Sequence, residues 1–191
     1  MFNSIKNIDE KKLAAHCAQQ DRNAQKLLYQ RFYGEMMAVC MRYTNSRAEA
    51  AEVLNDGFMK VFENIGNYKP EYSLQGWIRK IIVNTAIDAF RKNRQYYFML
   101  DVEAADDEQN MSPEVLETFA AEDIIKMIQE LPPVYKLVFN LHAIEGYSHQ
   151  EIAEQLDITE STSRANLAKA RKKLQQMIQQ TEPTIYARYA K

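Results

Sequence analysis

Glycine, proline and cysteine are scarce in this chain, and each shortage narrows the possible folds. Five glycines and five prolines among 191 residues, with apolar residues recurring every three to four positions, predict helices joined by short connections and almost no strand. The two cysteines, Cys17 and Cys40, lie far apart in the sequence, so neither a disulfide framework nor a thiolate zinc site is indicated. We expect an all-α fold in which both thiols are core or inert residues.

Long apolar runs are also missing. No stretch approaches the roughly 20 apolar residues that a membrane-spanning helix needs. The first residues, MFNSIKNIDEKK, lack the apolar centre of a signal peptide. We therefore expect a cytoplasmic protein without membrane insertion, and 46% hydrophobic residues are enough to bury one core or two small ones.

Positive charge is not in excess overall, because the formal net charge is −2. Residues 1–95 hold 15 Lys and Arg against 10 Asp and Glu, residues 96–130 hold 1 against 10, and residues 131–191 hold 8 against 6. The two outer blocks are thus candidates for binding an anionic partner, and most of the excess negative charge lies in the segment between them. We expect two small helical domains at 1–95 and 118–181, an acidic flexible linker at 96–117 and a tail at 182–191.

Residues 131–176 have the pattern of a helix followed by a helix-turn-helix. Prolines suit the first turn of a helix, so one helix is expected to begin at residues 131–133 and to stop near Gly146. Ser148 and Glu151, three residues apart, form a capping box that begins the next helix. Asp157 then lies in a tight turn before the last helix.

That last helix is expected to begin after its cap, Thr159, and to run to about Gln176. With its apolar stripe placed inward on a helical wheel, a basic and partly small-residue face points outward. Small residues allow close approach to base edges, polar groups read those edges, and lysines hold phosphates. A solvated lysine face is the other interpretation, but the preceding helix and turn favour a DNA reader. The candidate reading residues are Ser161, Thr162, Arg164, Ala165, Asn166, Lys169, Lys172 and Lys173.

Residues 24–94 contain three helical stretches, and the third presents a second candidate interface. In WIRKIIVNTAIDAFRKNR (77–94), Ile78 and Ile82 mark an apolar face, and Ile87 falls on the opposite, polar one. An indole, cations and an amide on one exposed face suit single-stranded nucleic acid. Trp77 by itself fits a packing role equally well, because large aromatics usually serve the core. With the preceding loop, the candidates are Tyr68, Lys69, Tyr72, Trp77, Lys80, Asn84, Asp88 and Arg91.

Three segments together resemble the extracytoplasmic-function sigma factors of bacterial RNA polymerase, in the sigma-70 superfamily. AEVLNDGFMKVFENI (51–65) and SLQGWIRKIIVNTAIDAFRKNR (73–94) are similar to the second conserved region of that family. LPPVYKLVFNLHAIEGYSHQEIAEQLDITESTSRANLAKARKKL (131–174) is similar to its fourth. The order of the two regions, with an acidic segment between them, makes the combination specific.

The resemblance implies a promoter-specificity subunit that directs transcription initiation by core RNA polymerase. Asp56 matches the element that docks on the clamp helices of the largest subunit, and Phe58 is either core or contact. Loop 66–73 matches the loop that captures a flipped base of the minus-ten element, and Asn84 lies where that element is contacted. Helix 159–176 would read the minus-thirty-five duplex. The candidate polymerase-binding residues are Asp56, Phe58, Lys60 and Phe62.

The resemblance also implies partners: the largest and second-largest polymerase subunits, promoter DNA, and an anti-sigma protein that covers the same surfaces of a free, monomeric chain. Asp157 replaces the glycine that many relatives have in the turn, and it can adopt unusual backbone angles. Ser163 and Asn166 replace residues that are often valine and a basic residue, so base preferences do not transfer. No cofactor is implied.

The acidic linker has two interpretations. Blocks of like charge usually form solvated tethers. The family instead implies an RNA-like polyanion that lies along a basic channel of the polymerase. The residues that would act in this way are Asp101, Glu103, Asp106, Asp107 and Glu108.

Three other classes of protein are weighed against a sigma factor. An enzyme is disfavoured because His16, His142 and His149 have no metal-ligand spacing, and no phosphate-binding glycine loop or glycine-flanked nucleophile occurs. A stand-alone helix-turn-helix regulator would bind symmetric half-sites as a dimer. A sigma-like decoy would bind an anti-sigma protein without touching DNA, and the cations on both candidate reading faces argue against it.

Overall fold

The computed structural model describes residues 9–92 and 121–181, and these residues are helical with no strand. The all-α prediction is confirmed. The chain divides into two compact units after Ala89. The predicted linker 96–117, which includes the five acidic residues of the polyanion interpretation, and the tail 182–191 lie outside the described residues.

The first unit contains four helices, which we label α1 to α4. Their bounds are α1 Glu10–Ala18, α2 Arg22–Tyr43, α3 Arg47–Asn64 and α4 Leu74–Lys92, and a 3₁₀ turn, Ile65–Asn67, follows α3. The second unit contains α5 Ala121–Glu130, α6 Pro133–Phe139, α7 His149–Leu156 and α8 Glu160–Thr181, and a π-helical turn, Asn140–Ile144, follows α6. The three helical stretches predicted for residues 24–94 correspond to α2, α3 and α4.

Side-chain caps explain where α2, α3 and α4 begin. Asp21 Oδ1 accepts hydrogen bonds from the backbone N–H groups of Asn23 and Ala24, at 2.8 and 3.3 Å, at the start of α2. Ser46 caps α3 in the same way. Ser73 Oγ accepts from the N–H of Gly76 at 3.2 Å, so α4 begins three residues before Trp77. Each cap satisfies backbone donors that the helix itself leaves unpaired.

The core of the first unit lies where α2, α3 and α4 pack together. Leu28 and Met36 on α2, Leu54 on α3 and Ile78 on α4 are fully buried. Gly57 lies in the interior of α3, and a Cβ atom there would overlap the Cδ1 methyl of Ile82 on α4. Glycine in a helix interior is ordinarily unfavourable, and here its small size lets α3 and α4 approach closely.

Both cysteines belong to this core, as expected. Burial raises the pKa of the Cys17 thiol to about 11 and that of Cys40 to about 12. Each sulfur therefore stays protonated near neutral pH and behaves as a small apolar group.

Two helices were not foreseen. Leu13, Ala14 and Cys17 bury one face of α1 against α2, and their spacing is a helical pattern too short to stand out. In α5, Met127 and Ile128 are buried, and this helix packs against α8. Both helices are short, and tertiary packing supplies most of the stability of such helices.

The second unit has its core between α6, α7 and α8. On α6, Val134, Leu137 and Val138 are buried, as is Leu141 in the π-helical turn. The stripe of α8 is likewise buried except for Met177, which is half-buried. The helix α8 continues to Thr181 rather than ending near Gln176. Its buried stripe consists of Leu167, Ala170, Leu174 and Ile178.

The turns around α7 have the predicted local chemistry. Ser148 Oγ accepts from the N–H of Glu151 at 3.2 Å, and the N–H of Ser148 donates to Glu151 Oε2 at 2.8 Å, which completes the capping box. The backbone N–H and the hydroxyl of Ser148 both donate to Glu151 Oε2, and these two bonds lower the pKa of the Glu151 carboxyl. Asp157 ends α7 in the left-handed conformation, with φ 53° and ψ 52°. Thr159 Oγ1 then accepts from the N–H of Thr162 at 3.1 Å and begins α8.

The conformation of Asp157 generates a stability prediction. Asp157→Gly and Asp157→Val both remove the carboxylate, but only valine meets the steric cost of left-handed backbone angles. We expect the valine variant to be about 1–2 kcal/mol less stable than the glycine variant. Amide hydrogen exchange along α8 in the full chain measures the difference. Equal stabilities would show that the turn relaxes to other backbone angles.

Candidate nucleic-acid interface

The outward face of α8 is close to the one that the helical wheel predicts. Ser161, Arg164 and Ala165 are exposed, and Thr162 with the three lysines is half-buried. Asn166 is the exception, because its side chain is only 5% exposed. It therefore does not face the solvent as predicted. Because α8 packs against α6 and α7 on two sides, its buried arc is wider than the apolar stripe and includes Asn166.

The first turns of α8 are ordered by contacts among their own polar groups. Thr159 Oγ1 lies 2.8 Å from both Ser161 Oγ and Thr162 Oγ1. Arg164 Nη2 lies 2.6 Å from Glu160 Oε2, one helical turn earlier. An exposed pair of this kind adds little stability, but it orients the guanidinium group at the edge of the face.

Further along the same helix, Lys169 approaches an aromatic ring of α6. Its Nζ lies 5.8 Å from the centre of the Tyr135 ring, within the range of a cation–π contact. Lys172 and Lys173 follow one turn later. Lys169 thus lies against an aromatic ring, and all three lysines remain partly exposed.

The loop before α4 is held in place by Tyr68. Its ring is buried and lies 5.6 Å from the indole of Trp77, centre to centre, and its hydroxyl donates to the carbonyl of Tyr72 at 2.7 Å. Burial, with Glu10, Asp9 and Glu71 nearby, raises the pKa of this hydroxyl. The prediction of Tyr68 as an exposed base contact is therefore wrong, since the ring anchors the loop from inside.

Most other members of the predicted single-strand face are accessible. The side chain of Tyr72 is 66% exposed, and Trp77 is half-buried. Ile87 does not belong to this face, because it is buried. Asp88 is partly neutralised, since its Oδ2 lies 2.9 Å from Lys60 Nζ on α3. The exposed polar members are Lys69, Lys80, Asn84 and Arg91.

The surface of α3 differs from the predicted polymerase-binding set in two ways. Asp56 is exposed, as expected, and Phe62 is half-buried. Phe58 is buried at 2% exposure, between Tyr29 at 4.7 Å and Phe62 at 6.0 Å, centre to centre. Of its two interpretations the core one is correct, so it is not a free contact residue. The Lys60 side chain forms the ion pair with Asp88 and is engaged within the unit.

An exposed methionine on the same helix was missed. Met59 is 60% exposed, one turn after Asp56. A helical wheel of α3 would have found it, because the buried residues Leu54, Phe58 and Val61 lie on another face. Methionine is more frequent at protein-binding surfaces than on the rest of a protein surface.

Comparison with protein families assigns both parts of the chain. Residues 28–96 match the family model described as Sigma-70 region 2, and residues 121–174 match that described as Sigma-70, region 4. Together the matches span more than half of the chain. The chain belongs to the extracytoplasmic-function group of the sigma-70 family. It is therefore a sigma factor that binds core RNA polymerase and directs promoter-specific transcription initiation.

Named relatives agree along most of the length of this sigma factor. The chain is 26% identical to the ECF RNA polymerase sigma-E factor of Haemophilus influenzae over 90% of itself and 96% of that protein. It is 26% identical to the RNA polymerase sigma factor SigZ of Bacillus subtilis over 80% and 85%. A solved structure, the Bartonella quintana sigma factor RpoE with the anti-sigma factor NepR, matches with a TM-score of 0.48 and 16% identity over 82% of this chain and 97% of that one.

The described parts of this sigma factor lack two other kinds of feature. Residues 9–92 and 121–181 contain no group of three or more His, Cys, Asp or Glu side chains that could hold a metal ion. Within the same residues, no helix is both long and apolar enough to cross a membrane.

Proposed function

We propose that this sigma factor uses three surfaces, each from a different helix. The exposed part of α3 binds core RNA polymerase, the loop before α4 and the polar face of α4 bind the minus-ten element, and α8 reads the minus-thirty-five duplex. In this proposal residues 1–95 and 118–181 are the two functional domains, and 96–117 joins them. The chain carries out no catalysis of its own and acts in the cytoplasm.

The observation that carries the proposal is the composition of the outward face of α8. Its first turn offers hydroxyl, methyl and guanidinium groups, which suit base edges in a major groove. Lys169, Lys172 and Lys173 follow on the same helix, where they suit phosphates. The capped, left-handed turn at Asp157 sets the angle between α7 and α8, as in other helix-turn-helix readers.

The minus-ten surface combines one free aromatic ring with scattered cations. Tyr72 stands out from a loop that Tyr68 fixes, so its ring is available to stack on an unpaired base at little cost in ordering. Lys69 lies in the same loop, and Lys80 and Arg91 follow along α4, where they supply phosphate contacts, and the amide of Asn84 supplies hydrogen bonds. The ion pair with Lys60 reduces the repulsion that Asp88 would otherwise exert on phosphates.

The polymerase surface is the exposed side of α3 around Asp56 and Met59. The carboxylate gives the surface a charge that selects a basic partner, and the thioether supplies adaptable apolar contact. Phe58 and Phe62 support this side from the core. Replacing Phe58 in a binding study would therefore disturb the fold first.

The proposal also includes an inhibitor of the free sigma factor. An anti-sigma protein, the kind of partner found with the Bartonella quintana structure, covers the surfaces of a monomeric chain until it is released. A stand-alone regulator would instead form a dimer on symmetric DNA, and a decoy would leave DNA untouched. The three experiments that follow separate these functions.

The lysines of α8 are expected to control the salt dependence of duplex binding. Lys169→Ala with Lys172→Ala should reduce the slope of log affinity against log salt concentration by about 2, because each removed phosphate contact releases about one fewer counterion. A mixed-sequence duplex is a sufficient probe. Lys126→Ala on α5 is the matched control and should leave the slope unchanged. An unchanged slope in the double variant would favour the decoy.

The ring of Tyr72 is expected to contribute stacking to single-stranded DNA. Tyr72→Ala should weaken binding of a mixed-sequence single-stranded oligonucleotide by about 1–3 kcal/mol, whereas Tyr72→Phe keeps the ring and should bind like the wild type. Trp77 is the one tryptophan of the chain and lies close to the loop, so quenching of its fluorescence measures the binding. Equal affinity of the alanine and phenylalanine variants would remove Tyr72 from the interface.

The carboxylate of Asp56 is expected to be essential for polymerase binding. Asp56→Arg reverses the charge of the docking surface and should abolish comigration with purified bacterial core RNA polymerase, since like charges facing each other cost several kcal/mol. Glu71→Arg makes the same charge change in the loop before α4 and should still comigrate. Failure of the wild type itself to comigrate would favour the stand-alone regulator, which a dimer on palindromic DNA would then identify.

A further inference from the structure

Two histidines that play no part in the proposed interfaces stack on each other inside the helix-turn-helix unit. His142 lies in the π-helical turn after α6, and His149 is the first residue of α7. Their ring centres are 4.3 Å apart and their planes differ by 14°. The stacked rings thus form a contact between the π-helical turn and the first residue of α7.

Each ring is held by one hydrogen bond. His142 Nδ1 lies 2.8 Å from the carbonyl oxygen of Tyr147, so this nitrogen carries a hydrogen and donates it. His149 Nδ1 lies 2.9 Å from Ser163 Oγ on α8. Ser163 is completely buried, and its hydroxyl makes no other hydrogen bond within residues 9–92 and 121–181.

The surroundings favour the neutral form of His149. Burial lowers the pKa of His149, and His142, Arg164 and Arg171 lower it further, against an opposing effect of Glu160. The N-terminus of α7 adds a partial positive charge at the same place. With a neutral ring that carries its hydrogen on Nε2, the Ser163 hydroxyl donates to His149 Nδ1, and this buried hydroxyl is satisfied.

We propose that His149 is a positioning residue, which holds the reading turn of α8 through the hydroxyl of Ser163 and thereby makes duplex binding sensitive to pH. The inference depends on the proposed role of α8 in reading duplex DNA. Ser163 lies between Thr162 and Arg164, two of the residues proposed to read bases. A hydrogen bond that fixes Ser163 therefore fixes the position of that turn along the axis of α8, and its rotation about that axis, relative to α7.

Protonation of His149 reverses this hydrogen bond. The imidazolium donates from Nδ1 to Ser163 Oγ, so the hydroxyl hydrogen of Ser163 must turn away and find another acceptor inside a buried site. The new cation also faces Arg164 and Arg171, with Glu160 the one opposing charge among these neighbours. Both effects weaken the attachment of the reading turn to α7.

The direction of the pH effect follows from the lowered pKa. An unfolded histidine has a pKa near 6.5, and a group with a lower pKa in the folded state binds fewer protons there. The stabilisation is complete above the unfolded pKa and is lost as the pH falls through the window between the two values. Acidic conditions are therefore expected to weaken the unit and its duplex binding.

Proton NMR of the full chain tests the geometry without DNA. The chain has three histidines, and His16→Asn, His142→Asn and His149→Asn assign the three imidazole signals. The His149 signal should titrate below about 6.5 in the wild type. Ser163→Ala should move it upward, because the neutral ring loses its hydrogen-bond donor. A His149 titration that Ser163→Ala leaves in place would overturn the proposal.

Duplex binding tests the consequence, with a duplex selected from a random-sequence pool by the wild-type chain at pH 7.5. His149→Asn keeps a nitrogen donor for Ser163 Oγ but cannot titrate. Between pH 7.5 and 5.5 at constant salt, the wild type should lose about fivefold more affinity than this variant, the equivalent of one hydrogen bond. His16→Asn, on an exposed residue of α1, should behave like the wild type.

Ser163→Ala is the second binding variant. It should bind about fivefold more weakly than the wild type at pH 7.5, with circular dichroism used to check that it is folded. An His149→Asn variant with the pH dependence of the wild type, or full affinity in Ser163→Ala, would contradict the inference. A wild type whose duplex binding ignores Lys169 and Lys172 would instead contradict the proposed function, and the NMR titration would still decide the role of Ser163.

Discussion

Burial of one stripe of α8 against α6 and α7 is the constraint on which the DNA-reading unit depends. The rotation of α8 about its axis is set by the burial of Leu167, Ala170 and Leu174. That rotation determines the direction in which every side chain on the opposite side points. The reading face consists of the side chains of α8 that the core does not bury. A base-reading helix is therefore positioned by apolar packing, although the residues that meet DNA are polar.

Local backbone chemistry makes that packing possible within a short stretch of chain. The capping box at Ser148 and Glu151 begins α7, the left-handed Asp157 ends it, and Thr159 begins α8 two residues later. Each device satisfies backbone groups that a helix end leaves unpaired. Because the connection is so short, small changes in contacts between the helices, such as the bond from His149 to Ser163, alter the direction of α8.

The first unit uses aromatic rings for a comparable purpose. Phe58 and Tyr68 are buried and support surfaces on α3 and the loop before α4, while Tyr72 and Met59 remain outside as the accessible partners. A buried ring beside an exposed one gives a fixed platform, which reduces the ordering cost of binding. Negative charge is concentrated in residues 96–130, so the blocks 1–95 and 131–191 each keep a positive balance despite the net charge of −2, which favours DNA binding.

The sequence by itself determined the helical class, the caps around α7, the left-handed role of Asp157, the apolar stripes of α6 and α8, and the family. All of these depend on residue type and short spacing, because hydrogen bonds at helix ends and the helical repeat act within a few positions.

Tertiary structure decided whether residues at the edge of an apolar stripe are buried or exposed. Asn166 and Ile87 were drawn inward because α8 and α4 are covered over a wider arc than their apolar residues occupy. Tyr68 and Phe58 became supports rather than contacts because neighbouring rings were available, and the pairs His142 with His149 and Lys60 with Asp88 formed between different structural elements. A wheel drawn for one helix contains no information about its neighbours, and those neighbours set the boundary between buried and exposed.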